Sequence, residues 1–191
     1  MFRRFFDAIP IFTGIAIAAV LLVAGVLLTW AHSSLLSDAQ QELVSQKIVF
    51  PAANSRDFSA LPAPDAAALT KYAGLLLTTG PQAQAYADDF IAVENDSVSH
   101  GQTYSQVNDR LATAGHDRAL FIQAADLFRN ETIQGQLRYD NGFWKIGQLL
   151  LSAAILAFAV AGVLLVLSAI GLGRRVAIQA EALLKPALQG T

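Results

Sequence analysis

Ile9 to Ala31 reads IPIFTGIAIAAVLLVAGVLLTWA, and the whole interval between Asp7 and Asp38 holds no ionisable side chain except His32. As a helix rising 1.5 Å per residue, this stretch extends roughly 34 Å, enough to cross a hydrocarbon core of about 30 Å. Its Ile, Leu, Val and Phe side chains together favour insertion by about 4 to 7 kcal/mol, with no charge opposing them. A second stretch, Ile146 to Leu172, reads IGQLLLSAAILAFAVAGVLLVLSAIGL and favours insertion by roughly 4.5 to 9 kcal/mol on the same scale. A core helix of a soluble protein this long carries a polar stripe, and neither stretch has one. Both read as transmembrane helices.

The flanks orient them. Arg3 and Arg4 precede the first span and Arg174 and Arg175 follow the second, and a Lys/Arg excess beside a span marks its cytoplasmic side. Trp30 closes the first span, and Trp144, after Phe143, opens the second, as expected of indoles at the outer headgroup level. The expected organisation is a cytoplasmic N-terminus at 1–8, transmembrane helix 1 at 9–31, an extracytoplasmic α-helical domain at 32–145, transmembrane helix 2 at 146–172 and a cytoplasmic tail at 173–191. The fold class is all-α, two transmembrane helices flanking a small extracytoplasmic helical bundle. A cleaved signal peptide is the rival reading of residues 1–33. Signal h-regions run about 7 to 15 residues, so this longer one reads as an uncleaved anchor.

Composition agrees. Of 191 residues 54% are hydrophobic and 15% charged, against roughly 25% charged in an average soluble domain. The net charge of −2 leaves no basic excess to displace counterions from a nucleic-acid backbone. The segment between the spans carries 8 basic and 13 acidic residues, a balance of −5. The absence of cysteine excludes disulfides, thiolate metal sites and a thiol nucleophile.

Gly14, Ala18 and Gly25 on the first span, and Ala153, Ala157 and Ala161 at four-residue spacing on the second, form small-residue faces along which backbones approach closely. They are expected to bind each other or a neighbouring membrane protein. Beyond the first span, Leu36, Ala39 and Leu43 continue helical spacing to about Lys47. Pro51, Asn54, Pro62 and Pro64 mark an extended loop. Helices are expected from Pro64 to about Leu77, from Pro81 to about Ser99 with Gly101 as its stop, from a capping box at Thr103 and Gln106, and from about Asp117 to Arg138. An Asn141-Gly142 turn then feeds the second span. Ala83, Tyr86, Phe90 and Val93, and Leu120, Ala124, Leu127 and Phe128, form the apolar stripes of a small bundle. No sustained period-two alternation calls for a sheet.

Candidate chemistry is sparse. In an unbroken helix Asp89, Asp96 and His100 lie within about 40° of one another, a spacing that can present two carboxylates and an imidazole to a divalent ion. The competing reading is a solvated flank. Glu131 falls on the stripe of Leu127 and Phe128, where a carboxylate must be paired or raise its pKa; Arg138 is its candidate partner. No HExxH, P-loop or GxSxG pattern occurs, so the common hydrolytic and nucleotide signatures are missing, and no catalytic residue or cofactor is assigned. The glycosylation acceptor pattern at Asn95 and Asn130 matters only in a eukaryotic secretory route.

The runs Gln46-Lys47-Ile48-Val49-Phe50-Pro51, Lys71-Tyr72-Ala73-Gly74, Gly80-Pro81-Gln82-Ala83 with Tyr86-Ala87, Gly101-Gln102-Thr103-Tyr104, and Leu127-Phe128 before Glu131-Thr132 resemble a family of actinobacterial two-span membrane proteins with an exterior helical domain. The resemblance covers about residues 40 to 148. It implies topology and envelope location but transfers no catalytic residue. Members carry Gly and Arg where this chain has Asn130 and Gln134, so that segment's charge is not carried over. The expected partners are the lipid bilayer and a membrane protein or a second copy, and the expected role is a non-enzymatic accessory or scaffold subunit. The alternative is a ligand- or ion-binding sensory protein.

Overall fold

The structure is a computed structural model that describes residues 9–188; Arg3 and Arg4 lie outside the described residues. The chain is mostly helical and contains two helices long and apolar enough to cross a membrane. Helix α1 spans Ile9–Ser45. It outlasts the apolar stretch because Ala39 and Leu43 keep one face buried, and it ends where Lys47 turns left-handed at φ 52°. The chain divides into two compact units, one containing residues 9–32 with 148–188 and the other residues 33–147.

Within residues 33–147, α2 (Arg56–Ser59) is capped by Ser55, and α3 (Ala63–Leu69) tightens into a single turn at Thr70–Tyr72. The helix expected to reach Leu77 stops here, because Gly74 turns the chain at φ 73°. The following leucines pair instead. The Phe50 N–H donates to the Leu75 carbonyl at 2.9 Å and the Leu77 N–H to the Ile48 carbonyl at 2.8 Å, forming one antiparallel bridge between Val49 and Leu76.

Helix α4 (Gly80–Ala85) starts from a reciprocal capping box between Thr79 and Gln82. It widens into a π-helical segment, Tyr86–Ile91, and resumes as α5 (Ala92–Ser99). His100, at φ 54°, and Gly101, at φ 80°, close it. The predicted capping box between Thr103 and Gln106 opens α6 (Tyr104–Ala114).

Helix α7 runs from Arg118 to Leu188, its start capped by Asp117, whose Oδ1 accepts from the backbone N–H groups of Ala119 and Leu120. The expected turn at Asn141-Gly142 is helical instead. Each glycine in a helix costs about 1 kcal/mol relative to alanine. Leu137, Asp140 and Asn141 are buried around this point, and packing of that face outweighs the local preference.

The main core of residues 33–147 gathers Leu43, Phe50, Phe58, Leu69, Leu77, Ala83, Ala87, Ile91 and Leu137. Phe50 anchors it, with ring centroids 5.2 Å from both Tyr72 and Tyr86. Val107, Leu120, Ala124 and Leu127 form a second cluster between α6 and α7. Phe128, expected on that stripe, is 57% exposed.

In the other unit α1 and α7 lie antiparallel, since Ile11 packs near Gly171 while Gly25 packs against Phe158. The buried positions repeat every seven residues: Ile11, Ala18 and Gly25 on α1, and Ala154, Ala161 and Ser168 on α7. A seven-residue repeat drifts only about 20° per step on an ideal helix, which a left-handed supercoil absorbs. Steps of four drift by about 40° each, which is why Ala153 is exposed and Ala157 half-buried beside buried Ala161. A methyl group at Gly14 would lie 2.7 Å from Ser168 Oγ, and one at Gly25 would lie 2.7 Å from the Phe158 ring. At Gly14 the neighbour met is the Ser168 hydroxyl, and at Gly25 it is a ring, so each glycine marks a point of close contact between the helices.

The Gly14–Ser168 proximity gives a direct check in this cysteine-free chain. Disulfides need Cβ atoms about 3.5–4.5 Å apart, so the double variant Gly14→Cys/Ser168→Cys should oxidise to an intramolecular disulfide, seen as a mobility shift that reductant reverses. Thr13→Cys/Ser168→Cys, with the first cysteine on the exposed face, should remain reduced.

Candidate functional site

The unit formed by residues 33–147 holds a groove of about 550 Å³. One wall is the segment held by the Val49–Leu76 bridge and by α2, contributing Asp57 and Leu61; the other is the π segment and α5, contributing Tyr86, Phe90, Val93 and Glu94. The π segment accounts for the aromatic wall. Its widened turn makes the Ala92 N–H donate to the Ala87 carbonyl, which also accepts from Gln134 Nε2 at 2.8 Å. Ala83, Ala87 and Ile91 then point into the core, whereas Tyr86, Phe90 and Val93 are left half-buried. The sequence stripe of Ala83, Tyr86, Phe90 and Val93 is thereby split between core and groove. Burial pushes the Tyr86 phenol above its ordinary pKa, and the carboxylates of Glu94 and Asp57 push it further.

The same inserted turn separates the candidate metal ligands. A π turn rephases everything after it, so Asp89, inside it, and Asp96, beyond it, lose the shared face expected of a regular helix. The His100 N–H bonds the Asp96 carbonyl as the helix stop. Asp89, Asp96 and His100 do not form a ligand group, and the described residues include no cluster of three or more His, Asp or Glu able to hold a metal. Asp89's pKa is raised by burial, then by Asp65 and Asp88, against a lowering by Lys71.

Glu131, expected to be buried, is exposed. Its Oε1 accepts from the Tyr104 N–H at 2.9 Å, so it supports the first turn of α6. Arg138 pairs with Asp88 rather than with Glu131: its Nε and Nη2 donate to Oδ1 at 2.9 and 2.7 Å. With side chains 55% and 36% exposed, this pair is worth at most about 1 kcal/mol. Of the two glycosylation-pattern asparagines, Asn130 is buried and Asn95 half-buried.

Among the described residues the buried carboxylate is Asp140, 5% exposed, which sequence reasoning did not single out. Gln46 Nε2 donates to its Oδ2 and Gln136 Nε2 to its Oδ1, both at 3.2 Å. Burial raises its pKa; the two amides lower it, and Glu42 raises it further. The contact from Gln46, in the turn just after α1, lies 94 residues away in sequence, so no local pattern marks this site.

Among the remaining sequence-predicted residues, Gly14, Ala18, Gly25 and Ala161 lie along the small-residue seam described above. Trp30 is 71% exposed, Arg174 is exposed, and Arg175 and Trp144 are half-buried. Trp144 packs on Gly80 within the unit of residues 33–147. No protein-family model matches the chain, and no curated protein or solved structure matches it either.

Asp140 predicts a pH dependence of defined sign. The folded protein binds its proton more tightly than the unfolded chain does, so this residue adds stability as pH falls through its raised value. That gain is complete below about 4, the ordinary aspartate value. Asp140→Asn removes the buried charge and its repulsion from Glu42; its one carbonyl oxygen accepts from one glutamine, and the other glutamine satisfies the new N–H by turning its own amide oxygen toward it. The variant should melt a few degrees higher at pH 7 in detergent, with the difference shrinking toward pH 4, as followed by circular dichroism. A lower melting point at pH 7 would mean that the charged carboxylate is favourable where it sits.

Proposed function

We propose that the chain is an integral plasma-membrane protein, both termini cytoplasmic and residues 32–145 extracytoplasmic, that acts as a non-enzymatic accessory or scaffold subunit of an envelope complex through its outer helical domain. The observation that carries the contact role is the outward face of α7. Phe121, Phe128 and Tyr139 are 61%, 57% and 62% exposed, and at 100° per residue they fall within about 20° of one side. Large apolar side chains aligned in this way favour a protein surface over water.

Membrane insertion is supported by the surface of the two long helices. Only 17% of the most apolar window of each is buried within the protein, leaving Phe12, Val20, Leu27, Ile155 and Leu167 facing outward. A soluble core helix would bury these side chains. The orientation rests on Arg3, Arg4, Arg174 and Arg175 and on the aromatic residues Trp30 and Trp144. An actinobacterial envelope origin rests on the sequence resemblance.

Two measurements test this reading. Single cysteines at Ser105 and Gln189 should be labelled in opposite patterns by a membrane-impermeant maleimide on intact cells, Ser105→Cys reacting and Gln189→Cys reacting only after lysis. A photo-crosslinking residue at Phe121 or Phe128 in native membranes should yield a discrete adduct with a different polypeptide. Adducts made only of a second copy would replace the accessory role with self-assembly, and no adduct would remove the contact role.

A further inference from the structure

The groove on the outer unit has a chemistry that the contact role does not use. Its volume of about 550 Å³ falls within the roughly 300–1,000 Å³ of small-molecule sites. Leu61, Phe90 and Val93 give it apolar walls, and the Tyr86 and Phe90 rings, with centroids 4.9 Å apart, give it an aromatic one. Asp57 and Glu94 are its charged lining residues, and no lysine or arginine lines it. Neither carboxylate has an ion-pair partner among the described residues. Their shared effect on the Tyr86 phenol puts the negative charge at the aromatic wall.

The groove is also preformed. Phe50 wedges between Tyr72 and Tyr86, the Phe50–Leu75 and Ile48–Leu77 hydrogen bonds hold one wall, and the Ser55 side chain accepts from the Phe58 N–H to set the start of α2 beside Asp57. Walls fixed before a ligand arrives reduce the ordering cost of binding.

We propose that this groove binds a small organic cation, an ammonium group carried on an alkyl or aryl body. The carboxylates balance the charge, the negative faces of aromatic rings attract a cation, and the apolar walls accept the body. An anion would meet two unpaired carboxylates. A bare divalent ion would lack a third ligand and would have to shed water against hydrocarbon. This inference does not rest on the scaffold reading, because the groove residues are distinct from the α7 face.

The test uses the full chain in a non-ionic maltoside micelle, with benzyltrimethylammonium as probe and benzyl alcohol and benzoate as controls of similar body, followed by isothermal titration. The expected result is saturable one-site binding of the ammonium at a Kd of about 1 mM or below, weakened by added salt, with neither control saturating. The double variant Asp57→Asn/Glu94→Gln, both at exposed positions, should keep its circular dichroism spectrum and bind about tenfold or more weakly. Phe90→Leu, which preserves the apolar wall but removes the ring, should bind several-fold more weakly. Failure of the ammonium to saturate, equal binding of benzoate or benzyl alcohol, or an unchanged affinity in the double variant would each overturn the proposal.

Discussion

Close approach of two long apolar helices requires that side chains at the contact be small, and that they recur at an interval both helices can follow. Seven residues is that interval here. Ile11, Ala18 and Gly25 supply it on α1, and Ala154, Ala161 and Ser168 on α7. In lipid, where no hydrophobic force drives one apolar helix onto another, such contacts stabilise through van der Waals packing and weak polar contacts. Ser168 Oγ, 3.5 Å from the Ile11 carbonyl, is of the second kind. The large apolar side chains on the other faces remain outward, the arrangement that a bilayer, rather than water, accommodates.

The unit of residues 33–147 is built by a different rule. Its helices between α1 and α7 are short, and helices of this length are marginal on their own. Side chains therefore cap several of their starts, Ser55 for α2 and paired Thr and Gln boxes for α4 and α6, as Asp117 does for α7. Packing supplies the rest. Phe50 brings together the segment after α1, the turn after α3 and the start of the π segment, elements that share no local sequence relation.

The π segment has consequences on both of its sides. One extra residue in the turn moves Ala87 and Ile91 inward while Tyr86 and Phe90 stay half-exposed above the groove. The same rephasing disperses Asp89, Asp96 and His100. The aromatic wall of the groove and the dispersal of Asp89, Asp96 and His100 therefore share one segment of backbone.

Much of this was legible in the residues themselves, for identifiable reasons. The charge-free stretches determine their own helices because length and hydropathy act locally, and the Thr103–Gln106 box and the Gly101 stop are written in adjacent residues. What the residues left open depends on partners distant in the chain. Gly74 and the three leucines after it formed a bridge because Ile48 to Phe50 lay alongside, and Asn141-Gly142 stayed helical because packing of neighbouring residues outweighed a local preference for a turn. Glu131 and Asp140 show the limit most clearly. Both are carboxylates on one helix, and only tertiary packing decides that the first meets a backbone N–H at the surface while the second is enclosed between Gln46 and Gln136.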